Sequence, residues 1–197
     1  MNGIPFPFPL PLPSLRPVSS LRTNIVLIGF MGSGKSSIGR RVAAHLGFQF
    51  VDTDALLVER DGREIAEIFA REGEARFRDL ETAVLESLST REHCVISTGG
   101  GVILREENRA LLRQLGLVVW LTASEDVIFE RVSRTNKRPL LHTADPRETV
   151  TQLLAARRPL YAAAAQFTVD TTTLAHAAAA DAVIAEARRA FLWDTAG

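Results

Sequence analysis

A glycine-rich segment, residues 29–36, holds the residue types best suited to chemistry. Its sequence, GFMGSGKS, fits the phosphate-binding pattern G-x-x-x-x-G-K-[ST]. An apolar run before it suits a buried strand, and the residues after it suit a helix, so backbone N–H groups of loop and helix would point into one concavity. The sequence therefore predicts that Lys35 reaches the β- and γ-phosphates of a nucleotide and that the Ser36 hydroxyl ligates Mg²⁺. The alternative is an ordinary glycine-rich turn.

Two aspartates follow the next predicted strand, residues 48–51. If the chain stays extended there, Asp52 and Asp54 face the same way. The predicted third strand carries no acid at its end, where the aspartate that holds the metal's waters usually lies, so Asp52 is the predicted substitute. Asp54 would then orient a substrate hydroxyl and accept its proton. The alternative is that these aspartates cap the following helix.

Three further features suit the second substrate. The glycine run at residues 99–101 follows a buried strand, exposes backbone N–H groups and permits close approach of a ligand, although a plain turn is the alternative. The planar guanidinium groups of Arg78 and Arg157 suit a carboxylate. On spacing alone, a surface ion pair with Glu74 explains Arg78 better, and Arg157 is equally ambiguous. Two such arginines near Asp54 would indicate a substrate with a carboxylate and hydroxyls.

A basic, polar segment, residues 133–146, interrupts the regular pattern. It predicts a mobile lid that closes on ATP and excludes water. An arginine there, such as Arg138, would stabilise charge on the transferring phosphoryl group. A solvated loop is the alternative. Nucleic-acid binding is disfavoured, because the 23 basic and 23 acidic residues balance and aromatic residues do not alternate with the basic ones.

The elements that must position these residues alternate between strand and helix. Such alternation predicts an α/β fold with a parallel sheet covered by helices on both faces, and ligands bind at the carboxyl ends of its strands. The predicted strands are residues 25–29, 48–51, 94–97, 117–121 and 166–169. The predicted helices are residues 34–46, 55–60, 63–71, 74–90, 105–115, 149–159 and 175–191, with a further helix beginning at 124.

Length and composition predict one domain, residues 23–197, behind a proline-rich extension, residues 1–22. In the extension, proline at every second position excludes a helix and favours an extended chain. Neither a signal peptide nor a membrane span is expected. A single cysteine, Cys94, excludes a disulfide framework, and the four histidines have no metal-ligand spacing.

Taken together, the motifs resemble those of the shikimate kinase family. The resemblance spans residues 24–191 and consists of six segments in order: GFMGSGKS at 29–36, DTD at 52–54, GEARFR at 73–78, STGGG at 97–101, RPLL at 138–141 and RRPLY at 157–161. It implies a P-loop kinase with a five-stranded parallel sheet and a mobile lid. The implied reaction is ATP-dependent phosphorylation of the 3-hydroxyl of shikimate. The proline-rich start has no counterpart in the family pattern.

The resemblance also implies a role for individual residues. Lys35, Asp54 and Arg138 would be catalytic, and Asp52 would act on Mg²⁺ through water, with Ser36 as its direct ligand. ATP would contact Gly32, Ser33, Gly34, Lys35, Ser36, Ser37, Arg131 and Arg138, with Arg131 stacking on adenine. Shikimate would contact Asp54, Arg78, Gly99, Gly100, Gly101 and Arg157.

The expected protein is a cytoplasmic monomer that binds shikimate and ATP, without nucleic-acid or membrane partners. Two alternatives remain open at this point. One is a related kinase for a gluconate-like or nucleoside monophosphate-like acceptor, which would share the phosphate loop but not the acceptor residues. The other is a non-catalytic domain that senses shikimate.

Overall fold

A single parallel sheet forms the centre of the molecule. The computed structural model describes residues 23–134 and 145–191. Its strands are β1 (Ile25–Ile28), β2 (Gln49–Asp52), β3 (Cys94–Ser97), β4 (Leu117–Thr122) and β5 (Phe167–Asp170). They pair in the order β2-β3-β1-β4-β5, and every pairing is parallel. The predicted five-stranded parallel sheet is confirmed.

Helices cover both faces of this sheet, as the sequence predicts. They are α1 (Lys35–Leu46), α2 (Thr53–Asp61), α3 (Ile65–Ser87), α4 (Glu106–Leu115), α5 (Glu125–Ser133), α6 (Pro146–Ala164) and α7 (His176–Ala190), with a short 3-10 helix at Val102–Leu104. α1 and α7 pack on one face, whereas α4, α5 and α6 pack on the other. A smaller apolar cluster joins α2 to α3 beside the sheet.

The central strand β1 shows why the sequence forms this architecture. Val26 and Ile28 belong to the core on one face, and Ile25 and Leu27 belong to the core on the other. All four side chains are fully buried. A strand buried on both faces is an unbroken apolar run rather than an alternating one, and this run leads directly into the phosphate loop.

The helix boundaries bring one confirmation and one correction. The predicted break between two helices is confirmed at Gly73, where φ is 80° inside α3. The prediction that Pro159 ends its helix is wrong, because α6 continues through Pro159 to Ala164. A proline removes one backbone donor, but buried Tyr161 and Ala164 hold the last turn of α6 against the core.

The strand order brings the predicted motifs to one edge of the sheet. β1 and β2 both flank β3, so the phosphate loop after β1 lies beside the ends of β2 and β3. The register pairs Asp52 with Ser97 at those ends. The predicted extension 1–22 and lid residues 135–144, which include Arg138, lie outside the described residues. None of the helices in the described ranges is both long and apolar enough to cross a membrane.

Candidate active site

The phosphate loop is fixed by close contact with β4. At Gly29 φ is 145°, and a Cβ atom there would lie 2.3 Å from the Leu121 carbonyl oxygen, so only glycine fits. The Lys35 side chain is buried, and its ammonium group donates to the carbonyls of Gly29 (2.8 Å) and Phe30 (2.9 Å). The loop therefore encloses a positive charge at the N-terminus of α1, as phosphate binding requires.

A second cluster of oxygen atoms lies where α1, β2 and β3 meet. The Ser36 hydroxyl donates to Asp52 Oδ2 at 2.9 Å and lies 3.2 Å from the Ser97 hydroxyl. These oxygen atoms are suitable ligands for Mg²⁺, which takes one or two protein ligands and completes its coordination shell with phosphate and water. Within the two described ranges, no group of three or more His, Cys, Asp or Glu residues is arranged to hold a metal by itself.

The two aspartates do not share an extended segment, so the condition under which they would face the same way is not met. α2 begins at Thr53, which leaves Asp52 as its N-cap and Asp54 in its first turn. Asp52 Oδ1 accepts from the N–H groups of Asp54 (3.2 Å) and Ala55 (3.4 Å), while Oδ2 faces Ser36. Asp52 is therefore both a helix cap, as the alternative interpretation predicts, and the hydrogen-bond partner of Ser36.

The glycine run lies where two carboxylates converge. A Cβ atom at Gly99 would lie 2.7 Å from Asp54 Oδ1 and 2.8 Å from Glu81 Oε1, so a side chain there would displace both. The Gly99 N–H already donates to Thr53 Oγ1 at 3.2 Å. The prediction that all three glycines leave their N–H groups accessible is therefore wrong for Gly99.

Glu81 is a site residue that the sequence motifs did not predict. It is 2% exposed, and its Oε2 accepts from Arg78 Nη1 at 2.9 Å. Its Oε1 has no hydrogen-bond partner among the described residues. Burial raises the pKa of the Glu81 carboxyl; the charge of Arg78 opposes that rise, and the charge of Asp54 adds to it. Glu81 follows Arg78 by three residues on a predicted helix, and this spacing was the signal in the sequence that could have indicated the ion pair.

Arg78 is buried, not a surface residue. It is 7% exposed and donates to both Glu81 and Glu74, the latter at 2.8 Å. The predicted ion pair with Glu74 is therefore present, but Arg78 also pairs with the buried carboxylate of Glu81. Burial acts to lower the pKa of Arg78, yet the two glutamates outweigh it and raise that pKa. The guanidinium lies directly against Gly101, where a Cβ atom would be 2.3 Å from Nη1.

Arg157 approaches the same glycine run from α6. It is 5% exposed, and its Nη1 lies 3.5 Å from the Gly100 carbonyl oxygen. Its guanidinium carbon lies 5.6 Å from the ring centroid of Phe30 in the phosphate loop. The structure therefore brings both predicted arginines together with Asp54 beside the glycine run, next to the phosphate loop.

The remaining predicted nucleotide residues surround the start of α1. Arg131 donates to the carbonyls of Gly32 (3.2 Å) and Thr171 (3.0 Å), so it joins α5 to the phosphate loop and to the segment after β5. Ser33 is buried within the loop, and Gly34 is the left-handed N-cap of α1. Ser37 is exposed in the first turn of α1.

Comparisons with known proteins agree with this geometry. A family model described as shikimate kinase matches residues 31–188. A shikimate kinase of Thermodesulfovibrio yellowstonii is 48% identical over 84% of this chain and 95% of its own length, and one of Geobacter metallireducens is 49% identical over 78% and 85%. A solved shikimate kinase of Acinetobacter baumannii in complex with shikimate superposes with a TM-score of 0.79 at 37% identity, covering 90% of this chain and 97% of that one.

Proposed function

The chain belongs to the shikimate kinase family, and on that premise we propose how its own residues transfer the γ-phosphoryl group of ATP to the 3-hydroxyl of shikimate. The observation that carries the proposal is the pair of buried guanidinium groups of Arg78 and Arg157. They approach one glycine run, beside Asp54 and within contact of the phosphate loop. Such a site accepts a small molecule with one carboxylate and several hydroxyl groups.

The nucleotide half of the site consists of the phosphate loop and its neighbours. Backbone N–H groups of Gly32 and Gly34 bind the phosphates, with Ser37 in the adjoining helical turn. The Ser33 N–H donates to the Phe30 carbonyl at 3.2 Å and turns to the phosphates when ATP binds. Lys35 turns from the loop carbonyls to neutralise charge on the β- and γ-phosphates. Arg131 forms one wall of the adenine site.

The same half has oxygen atoms that would hold Mg²⁺. Ser36 would be its direct ligand, and Asp52, 2.9 Å from the Ser36 hydroxyl, would act through a water molecule. When bound, Mg²⁺ would neutralise charge on the phosphates. The chain's own contribution is to keep Ser36 oriented, because Asp52 accepts a hydrogen bond from the Ser36 hydroxyl and is itself fixed as the cap of α2.

The acceptor half binds and orients shikimate. Arg78 and Arg157 bind the carboxylate, since a guanidinium pairs with a carboxylate through two parallel hydrogen bonds. Gly99, Gly100 and Gly101 let the ring approach the backbone closely. Asp54 accepts a hydrogen bond from the 3-hydroxyl and holds it in line with the γ-phosphorus. As the new P–O bond forms and the bond to the β–γ bridging oxygen breaks, the hydroxyl proton passes to Asp54 and ADP leaves.

The proposal extends to residues outside the described ranges and to the state of the protein. Arg138, in the segment 133–146, is the lid arginine that reaches the phosphates and stabilises charge during transfer. Residues 1–22 are an extension separate from the kinase domain at residues 23–197. The protein acts as a monomer in the cytoplasm. Light scattering in the presence and absence of ATP tests the monomer, because association on ligand binding would contradict it.

A substrate panel tests the proposed function. ADP release is measured with MgATP and, in turn, shikimate, gluconate and a nucleoside monophosphate. We expect turnover with shikimate alone, because only shikimate places a ring carboxylate between two guanidinium groups and a hydroxyl at Asp54. Turnover with another acceptor and none with shikimate would overturn the assignment. Binding of shikimate without turnover would instead support a sensing domain.

A further inference from the structure

Tyr161 lies beneath the acceptor half of the site. It is the only tyrosine in the chain and is 1% exposed. It lies on α6, one helical turn after Arg157, so both side chains reach toward the glycine run. Its hydroxyl donates to the Gly100 carbonyl oxygen at 2.5 Å. A buried hydroxyl of this kind is costly to leave unpaired, so this contact holds the ring and the carbonyl together.

The Gly100 carbonyl has a second, weaker neighbour. Arg157 Nη1 lies 3.5 Å from the same oxygen, which is at the limit of a hydrogen bond. The Arg157 guanidinium also lies within hydrogen-bonding reach of the Tyr161 hydroxyl. The phenol therefore links Arg157 to the Gly100 carbonyl, and since a guanidinium carries five N–H donors, donors remain for a substrate carboxylate.

Tyr161 is itself fixed against the strand next to β1. Its ring stacks on Trp120 of β4, with the centroids 5.8 Å apart and the planes inclined by 19°. Trp120 pairs with Ile28, the last residue of β1 before the phosphate loop. The phenol is thus held by the same part of the sheet that positions the phosphate loop.

The carbonyl that Tyr161 holds belongs to a glycine packed on that loop. A Cβ atom at Gly100 would lie 3.3 Å from the Met31 nitrogen and 3.6 Å from the Gly29 carbonyl oxygen. The peptide unit that follows is planar, so fixing the Gly100 carbonyl also fixes the direction of the Gly101 N–H. One phenol hydroxyl therefore sets the orientation of the glycine run relative to the phosphate loop.

We propose that Tyr161 is a positioning residue for the acceptor substrate, whose hydroxyl holds the Gly100 carbonyl and orients the Arg157 guanidinium toward the carboxylate. The inference rests on the proposed function, since it assumes that Arg157 binds the shikimate carboxylate. The Tyr161→Phe variant lacks the hydroxyl that contacts both the Gly100 carbonyl and Arg157, so the guanidinium is less well aligned with the carboxylate.

The test compares wild type, Tyr161→Phe and a matched control. The control is Ser87→Ala, which removes a hydroxyl that donates to the Val84 carbonyl at 2.6 Å, at the end of α3. A neutral hydrogen bond contributes about 0.5–1.5 kcal/mol, so we expect the KM for shikimate to rise about two- to tenfold in Tyr161→Phe. The KM for ATP should stay within about twofold of wild type, and Ser87→Ala should leave both unchanged.

Methyl shikimate separates positioning from general damage. Its ester carries no negative charge for Arg157 to bind, so Tyr161→Phe should weaken its inhibition of the kinase less than it weakens shikimate binding. Equal loss for the acid and the ester, or an unchanged KM for shikimate, would overturn the role of Tyr161. Failure of wild type to phosphorylate shikimate would instead overturn the proposed function, so the two failures are distinguishable.

Discussion

Replacing Gly101 with alanine tests the acceptor half of the site through one added methyl group. The backbone at Gly101 has φ −99° and ψ −2°, which alanine adopts without strain. The added Cβ would lie 2.3 Å from Arg78 Nη1, 2.5 Å from Nη2 and 2.6 Å from Cζ. Real Cβ contacts essentially never fall below 3.0 Å, so the guanidinium must move by about 0.7 Å, the difference between 2.3 and 3.0 Å.

A shift of that size disturbs the position of Arg78 but does not remove its charge. The 2.9 Å bond to Glu81 is lengthened or misaligned, and the guanidinium loses its alignment with the substrate carboxylate. A hydrogen bond between charged groups contributes about 1.5–3 kcal/mol, so we expect Gly101→Ala to raise the KM for shikimate about 10- to 100-fold. The KM for ATP should change little, because the phosphate loop is not displaced.

Gly62→Ala is the matched control for stability. Gly62 has φ 80°, and beyond its chain neighbours no atom of the described residues lies within 4 Å of the point that a Cβ atom would occupy. Alanine there adds left-handed backbone strain of about 1–2 kcal/mol without a clash. Both variants should lower the Tm by a few degrees, as about 2–4 °C per kcal/mol is typical for this size. Steady-state kinetics then separate them. The reasoning is refuted if Gly101→Ala keeps the wild-type KM for shikimate, or if the KM for ATP rises equally.

Three further predictions concern single groups of the site. Lys35→Ala should lower kcat at least about a hundredfold in the ADP-release assay, because it removes charge stabilisation in the transition state, and retention of most of kcat would contradict that role. Arg78→Ala should raise the KM for shikimate far more than that for ATP, whereas exposed Arg76→Ala should change neither; equal weakening of both substrates would contradict the placement of Arg78. Burial raises the pKa of the Tyr161 phenol above its ordinary value of about 10. The neutral phenol therefore makes its full contribution to the free energy of unfolding below about pH 10. That contribution is lost as the pH rises from there toward the pKa in the folded state. Thermal unfolding of wild type should therefore lose stability above about pH 10 relative to Tyr161→Phe, and a constant difference across pH would contradict this.

The sequence alone determined the sheet and the nucleotide half of the site. The phosphate loop is contiguous in sequence, so its glycines, lysine and serine predict their own geometry. The unbroken apolar run of β1 likewise predicts a strand buried on both faces. The role of Asp52 near Ser36 could be predicted because no acid follows β3, and that inference needs only the order of the motifs along the chain.

The tertiary structure decided the acceptor half, because its groups are distant in sequence and meet only through packing. Spacing favoured a surface ion pair for Arg78, and only the packing of α3 beside the glycine run shows that Arg78 and Glu81 are both buried. Local sequence rules also could not predict that α6 continues past Pro159, because buried tertiary contacts outweigh the one backbone hydrogen bond that proline removes. That last helical turn places the hydroxyl of Tyr161 on the Gly100 carbonyl, 61 residues away in sequence.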